Sequence, residues 1–120
     1  MEQRQFTEER PWGGFTNLLD LPTHKVKELV VNPGARLSYQ RHFKRREHWF
    51  VVSGTGYALL NDETIPLVPG TALDIAIQDK HRLGNDGAEP LIVIEVQTGS
   101  YFGEDDIERF LDDYHRITHT

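Results

Sequence analysis

Gln40 and His42 stand two residues apart in a run that reads as a β-strand, so alternation puts both side chains on one face. Glu47 lies just beyond a short basic connection, and His81 lies on a later strand-like run. Two imidazole nitrogens, one carboxylate and one amide oxygen can chelate a divalent cation. Three strong ligands and a weaker one leave room for water or substrate, which is the catalytic rather than the structural pattern for zinc. Zn²⁺ is the first expectation, and Mn²⁺, Co²⁺, Fe²⁺ and Ni²⁺ suit the same donors. Taken singly, each residue has a plainer reading. A lone histidine at a strand end is more often a hydrogen-bonded residue, and Glu47 beside Arg45 and Arg46 can be a solvated ion pair.

Composition narrows the chemistry further. The chain has 120 residues, the size of one domain, and the whole of 1–120 is read as a single unit. The net charge is −6, the opposite of what a duplex-binding protein shows, so no nucleic-acid partner is expected. There is no cysteine, which excludes disulfides, thiolate catalysis and Cys-ligated metals. Six histidines are left as metal-binding side chains. The N-terminal residues are polar, and runs such as Leu91-Ile92-Val93-Ile94 are far shorter than a membrane span. The expectation is a soluble cytoplasmic protein with no membrane partner.

Short β-like runs that alternate with turns must position these residues. Val26–Asn32, Arg36–His42, Glu47–Ser53, Tyr57–Asn61, Thr64–Val68, Ala72–Ile77, His81–Asn85 and Pro90–Gln97 are punctuated by Pro33-Gly34, Gly54-Thr55-Gly56, Asn61-Asp62-Glu63, Pro69-Gly70 and Asn85-Asp86-Gly87. Pro66 marks its run as an edge or irregular strand. The spacing predicts an all-β sandwich or barrel. Residues 1–20 read as an arm or partial strand anchored by Trp12 and Phe15. In the tail, Ile107, Phe110, Leu111 and Tyr114 have helical spacing, and Asp105 with Glu108 resembles a capping box. A short C-terminal α-helix over 104–116 is therefore expected.

The ligand residues stand in a wider pattern. Gly34, Gln40-Arg41-His42, Glu47 and Gly54 match the first cupin motif, with Gln40 in place of its first histidine. Gly70, Ala76-Ile77-Gln78, His81 and Asn85 keep the spacing of the second, with Ala76 for its proline and Gln78 for its glycine. Arg10-Pro11-Trp12-Gly13, Leu37-Ser38-Tyr39-Gln40, Glu47-His48-Trp49, His81-Arg82-Leu83 and Ile94-Glu95-Val96-Gln97 follow in order. Gly99-Ser100-Tyr101, Glu104-Asp105-Asp106-Ile107 and Asp113-Tyr114-His115-Arg116 complete the series. From Arg10 to Arg116 the chain resembles the type II mannose-6-phosphate isomerase domain of the cupin superfamily. In that family Gln at the first ligand position is usual. His115 stands where the family usually has Gly.

The resemblance implies a double-stranded β-helix, a cupin jelly-roll barrel, with one divalent metal ion in its mouth. It implies a homodimer, and a companion guanylyltransferase either in the same chain or separate. It also implies interconversion of mannose 6-phosphate and fructose 6-phosphate through an enediol, in the metabolism of polysaccharide precursors. That chemistry needs a base with a pKa near neutrality. Glu95, His48 and His24 are the candidates, although alternation from Glu47 turns His48 to the opposite face. It also needs a cation for the phosphorylated hexose. Arg36 shares parity with Gln40 and His42 and is given both a catalytic and a substrate-binding role; Lys44, Arg46 and Arg82 are the other substrate contacts. The plainer reading of Arg41, Lys44, Arg45 and Arg46 is a solvated loop. Trp12, Phe15, Trp49 and Tyr101 read as core or dimer-contact aromatics. Two rival functions have the same donor set: a non-catalytic cupin that binds a sugar phosphate or sugar nucleotide or regulates a guanylyltransferase, and an Fe²⁺ oxygenase.

Overall fold

A computed structural model describes residues 7–114. Among them every regular element is a strand: β1 Glu8–Arg10, β2 Gly13–Asp20, β3 His24–Val31, β4 Tyr39–Arg41, β5 Arg45–Ser53 and β6 Gly56–Leu60 come first. They are followed by β7 Glu63–Leu67, β8 Ala72–Ile75, β9 His81–Gly84, β10 Leu91–Gly99 and β11 Glu108–Leu111. Two antiparallel sheets face each other. One runs β1-β2-β3-β10-β5-β8 and the other β11-β4-β9-β6-β7. β7, which contains Pro66, is an edge strand, where a residue without an N–H removes no ladder bond.

Alternation on β5 sets the inside of the barrel. Arg45, Glu47, Trp49 and Val51 are buried, while Arg46, His48, Phe50 and Val52 are exposed. β10 repeats the pattern with Leu91, Val93, Glu95 and Gln97 inside. The register places Glu47 opposite Gln97, Trp49 opposite Glu95 and Val51 opposite Val93. One end of the interior is therefore apolar, built from Val31, Val51, Ala58, Leu83, Leu91 and Val93. Each of these fully buried aliphatic side chains stabilises the fold by about 1–3 kcal/mol relative to exposure. The other end carries Arg45, Glu47, Glu95 and Gln97. Trp12 and Phe15 are also buried, and residues 13–20 pair along β3 as a strand of the first sheet.

Gly54 shows why a turn of the first motif needs glycine. Its φ is +81°, and a Cβ there would meet the Pro90 carbonyl oxygen at 2.3 Å.

The C-terminal expectation is corrected. The described part of 104–116 holds no helix; it holds β11, and residues 115–116 lie outside the described residues. β11 adds to β4, with Glu108 opposite Arg41 and Arg109 opposite Gln40. A helix of about ten residues is marginal in water, whereas the open edge of β4 offers unpaired backbone groups. The apolar residues divide accordingly: Phe110 packs on Tyr39 at 6.0 Å between centroids, Ile107 lines a cavity and Leu111 is exposed. Glu108 caps nothing; its carboxylate accepts from Arg41 Nε at 2.7 Å.

Candidate metal centre

His42 sits just past β4, Glu47 on β5 and His81 on β9, all with buried side chains. Their ligating atoms lie within 4.8 Å of one another. His42 Nδ1 donates to the Asp106 carbonyl at 2.6 Å, and His81 Nδ1 donates to the Asp79 carbonyl at 2.9 Å. A carbonyl oxygen only accepts, so each ring carries its proton on Nδ1 and presents the Nε2 lone pair. Both lone pairs converge on Glu47: His42 Nε2 is 3.3 Å from Oε2, and His81 Nε2 is 3.7 Å from Oε1. Gln40 lies directly opposite His81 in the β4–β9 register and lines the same cavity. Carbonyl-oriented imidazoles around a carboxylate are what a bound divalent cation requires of its surroundings. His42, Glu47 and His81, with Gln40 beside them, fit such an ion.

The electrostatics agree. Burial alone would raise the Glu47 pKa, but the neighbouring imidazoles of His81 and His42 and the charge of Arg45 outweigh it and hold the carboxyl well below its usual range. Burial lowers the His81 pKa against the pull of Glu47, which keeps the imidazole neutral. Anionic carboxylate and neutral imidazole are the ligating forms.

A cavity of about 80 Å³ opens beside these donors. Glu95 faces it from β10. Its Oε2 accepts from Gln97 Nε2 at 2.7 Å, and Trp49 Nε1 donates both to Glu47 Oε1 at 2.9 Å and to Glu95 Oε1 at 3.2 Å. Burial, reinforced by the charge of Glu47, pushes the Glu95 pKa up to about 8.

The expected substrate contacts lie elsewhere. None of Arg36, Lys44, Arg46 and Arg82 lines this cavity. Arg36 Nε and Nη2 grip the Asp113 carboxylate at 2.7 and 2.9 Å on a half-exposed surface. Lys44 is exposed over the Tyr101 ring. Arg46 points out of the barrel because β5 alternation puts it opposite Arg45 and Glu47. Arg82 is buried off the cavity, where its Nε donates to the Leu37 carbonyl and its Nη2 to the Leu111 carbonyl. His48 is exposed on the outer face and bonded to Asp74 at 2.6 Å, away from the cavity. His24 is held at the start of β3 by the Thr23 hydroxyl, off the cavity.

The cations that do line the cavity are Arg10, Lys27, Arg45 and Arg109. Two of them carried a readable signal. Arg45 has the parity of Glu47 and Trp49 on β5, and Lys27 has that of Leu29 and Val31 on β3. Arg10 and Arg109 reach the cavity from the two ends of the described chain, and no local pattern announces them.

Comparison with known proteins identifies the relatives of this chain. The family model described as mannose-6-phosphate isomerase C-terminal matches residues 1–113. The alginate biosynthesis protein AlgA of Pseudomonas aeruginosa is 50% identical over 107 residues, 89% of this chain and 22% of the relative. The xanthan biosynthesis protein XanB of Xanthomonas campestris is 48% identical, covering 89% and 23%. A mannose-1-phosphate guanylyltransferase of Klebsiella pneumoniae is 41% identical over 89% and 23%. The chain thus spans less than a quarter of the length of these curated relatives. Among solved structures, the capsular polysaccharide assembling protein CapF of Staphylococcus aureus superposes with a TM-score of 0.74 at 25% identity, over 88% of this chain and 32% of CapF. A double-stranded β-helix protein of Klebsiella pneumoniae superposes at 0.73 and 20% identity, over 92% and 86%, which shows the shared fold. With its two facing antiparallel sheets, its His–Glu–His cluster and this match over nearly all of its length, the chain belongs to the mannose-6-phosphate isomerase C-terminal family of cupin proteins.

Proposed function

We propose that this chain is a metal-dependent aldose–ketose isomerase that interconverts mannose 6-phosphate and fructose 6-phosphate through an enediol. One hydrogen-bonded chain carries the reading. Glu47, a candidate cation ligand, and Glu95, a buried carboxyl with a pKa near neutrality, share the single N–H of Trp49. A proton-transfer group and a cation site are thereby fixed side by side, as a C1–C2 proton shift requires.

A divalent ion held by His42, Glu47, His81 and Gln40 supplies a Lewis acid for the carbonyl oxygen. The protein's own residues do the rest. Glu95 takes the proton from one carbon and returns it to the next. Trp49 and Gln97 fix its two oxygens. Phe15, Leu29 and Leu83 wall the cavity against water. The cations Arg10, Lys27, Arg45 and Arg109 hold the phosphate, with Arg the better match to its geometry.

We further infer a homodimer that acts with a guanylyltransferase in polysaccharide precursor synthesis in the cytoplasm. The names of the alginate, xanthan and guanylyltransferase relatives support the metabolic setting. No helix among the described residues is long and apolar enough to cross a membrane.

The test is a coupled assay of mannose 6-phosphate conversion by chelator-stripped protein reloaded with Zn²⁺, Mn²⁺, Co²⁺, Fe²⁺ or Ni²⁺. Turnover that disappears with chelator and returns with one ion is the expected result. A folded, metal-loaded protein without turnover would leave a non-catalytic sugar-phosphate or sugar-nucleotide binder.

A further inference from the structure

Arg45 is a charged residue within the metal cluster. It is 5% exposed, and its guanidinium touches two of the three candidate ligands. Its Nε donates to Glu47 Oε2 at 3.0 Å, and its Nη2 lies 3.1 Å from His42 Nε2. Its Nη1 is buried and has no hydrogen-bond partner. A buried guanidinium donor without an acceptor is costly, so such a group marks a place where an acceptor is due.

His42 decides what that acceptor depends on. Its Nδ1 proton is committed to the Asp106 carbonyl, so Nε2 has one lone pair, and Arg45 Nη2 donates to it. A cation ligated by His42 needs that same lone pair. The Arg45–His42 hydrogen bond and cation ligation by His42 therefore exclude each other. Glu47 imposes no such choice, because a carboxylate has lone pairs for a cation and for Arg45 Nε together. Cation binding strips Arg45 of its His42 contact and leaves it anchored by Nε to Glu47. Nη1 and Nη2 would then both lack an acceptor among the protein groups.

We propose that Arg45 is a metal-gated anion site: cation binding at His42 releases the paired Nη donors of Arg45 to grip the phosphate of the sugar-phosphate substrate. Two coplanar N–H groups on one guanidinium match two phosphate oxygens. Loading the ion thus prepares the cavity for substrate. The inference rests on the isomerase reading for the identity of the anion, and on the chain's own residues for the gating.

The test sets two affinities against each other in one variant. Co²⁺ binding is followed by its visible absorption, and mannose 6-phosphate binding to Co²⁺-loaded protein by calorimetry, in the wild type, Arg45→Met and Arg45→Lys. In Arg45→Met, Co²⁺ should bind at least tenfold tighter, because the competing donor is gone, and mannose 6-phosphate at least tenfold weaker. Arg45→Lys should recover part of the sugar-phosphate affinity. Unchanged or weaker Co²⁺ binding by a folded Arg45→Met overturns the gating. Mannose 6-phosphate affinity that stays unchanged overturns the anion site. Wild-type protein that binds no Co²⁺ overturns both the gating and the metal-centre reading beneath it. Should Arg45→Met fail to fold, the Arg45 Nε–H resonance of ¹⁵N-labelled wild-type protein decides. That resonance, identified by its loss in Arg45→Lys, should shift in step with Zn²⁺ occupancy, and a stationary resonance ends the proposal.

Discussion

Asp106, far along the chain from His42, holds both the His42 imidazole and the two residues after it. His42 Nδ1 donates to the Asp106 carbonyl at 2.6 Å. The Asp106 carboxylate accepts from the backbone N–H of Phe43 at 3.0 Å and of Lys44 at 2.9 Å, holding the turn that leads from His42 to Arg45. The segment before β11 therefore orients a ligand that sits just past a strand only three residues long. Asp106→Ala should lower metal affinity by about 10–100-fold, the usual effect of removing the support behind a ligand. Cobalt titration of the folded variant checks it, and an unchanged affinity would show that the turn holds itself.

His42→Ala and His81→Ala should each abolish stoichiometric metal retention after dialysis, as read by elemental analysis. Each removes one of the three converging donors and leaves too few to hold the ion. Full occupancy in either variant would remove that residue from the ligand set.

The phosphate prediction separates two kinds of arginine and lysine. Lys27→Met should raise KM for mannose 6-phosphate about tenfold or more, because Lys27 is a buried cation in the cavity wall, where its ammonium faces the space a phosphate would fill. Arg36→Ala should leave KM unchanged, since Arg36 is occupied by Asp113 on a half-exposed surface. Its cost to stability should stay below about 1 kcal/mol. A KM that rises with Arg36→Ala would reverse the assignment.

Much of this site is written locally. The two-residue spacing of Gln40 and His42, and the parity of Glu47 and Glu95 in long alternating runs, are enough to place them, because a half-buried strand leaves a side chain only two directions. Arg45 was legible on the same grounds, yet a run of basic residues also reads as a solvated loop, and only the Glu47 carboxylate inside the barrel reverses that reading. Arg109 was not legible. Its place depends on β11 adding to β4, a pairing over a long loop, and the local pattern there favoured a helix. Tertiary pairing overrode local periodicity in that segment.

Glu95 sets a pH dependence. Its folded pKa, about 8, lies above the ordinary carboxyl value of 4.5, so the folded chain holds this proton longer than the unfolded one. Its contribution to stability is fully present below about pH 4.5 and is lost as pH rises towards 8. In chelator, the urea midpoint of the wild type should fall across that window relative to Glu95→Gln, whose neutral amide has no proton to lose. As a base, Glu95 works deprotonated, so kcat/KM should rise with pH and Glu95→Gln should lose most turnover. Parallel urea midpoints for the two proteins from pH 5 to pH 9 would show that Glu95 titrates normally.

Gln78 gives the last prediction. It stands where the second cupin motif has glycine, and its φ is +70°, in the left-handed region that costs a side chain about 1–2 kcal/mol. The turn is nevertheless held, because Gln78 N–H donates to the His42 carbonyl at 2.8 Å and Ala76 N–H donates to Asp79 Oδ2 at 2.8 Å. The strain therefore sits in a link between the loop before His81 and the residue that carries the other imidazole. Gln78→Gly removes the steric cost and keeps the backbone bond, while glycine's greater freedom when unfolded returns part of the gain. The net effect should be a stabilisation of about 0.5–1 kcal/mol in urea unfolding, with cobalt affinity unchanged or slightly higher. Gln78→Ala keeps the strained φ and should give no such gain. Equal midpoints for the glycine and alanine variants would mean that the turn relaxes without cost and that the motif's glycine is dispensable in this chain.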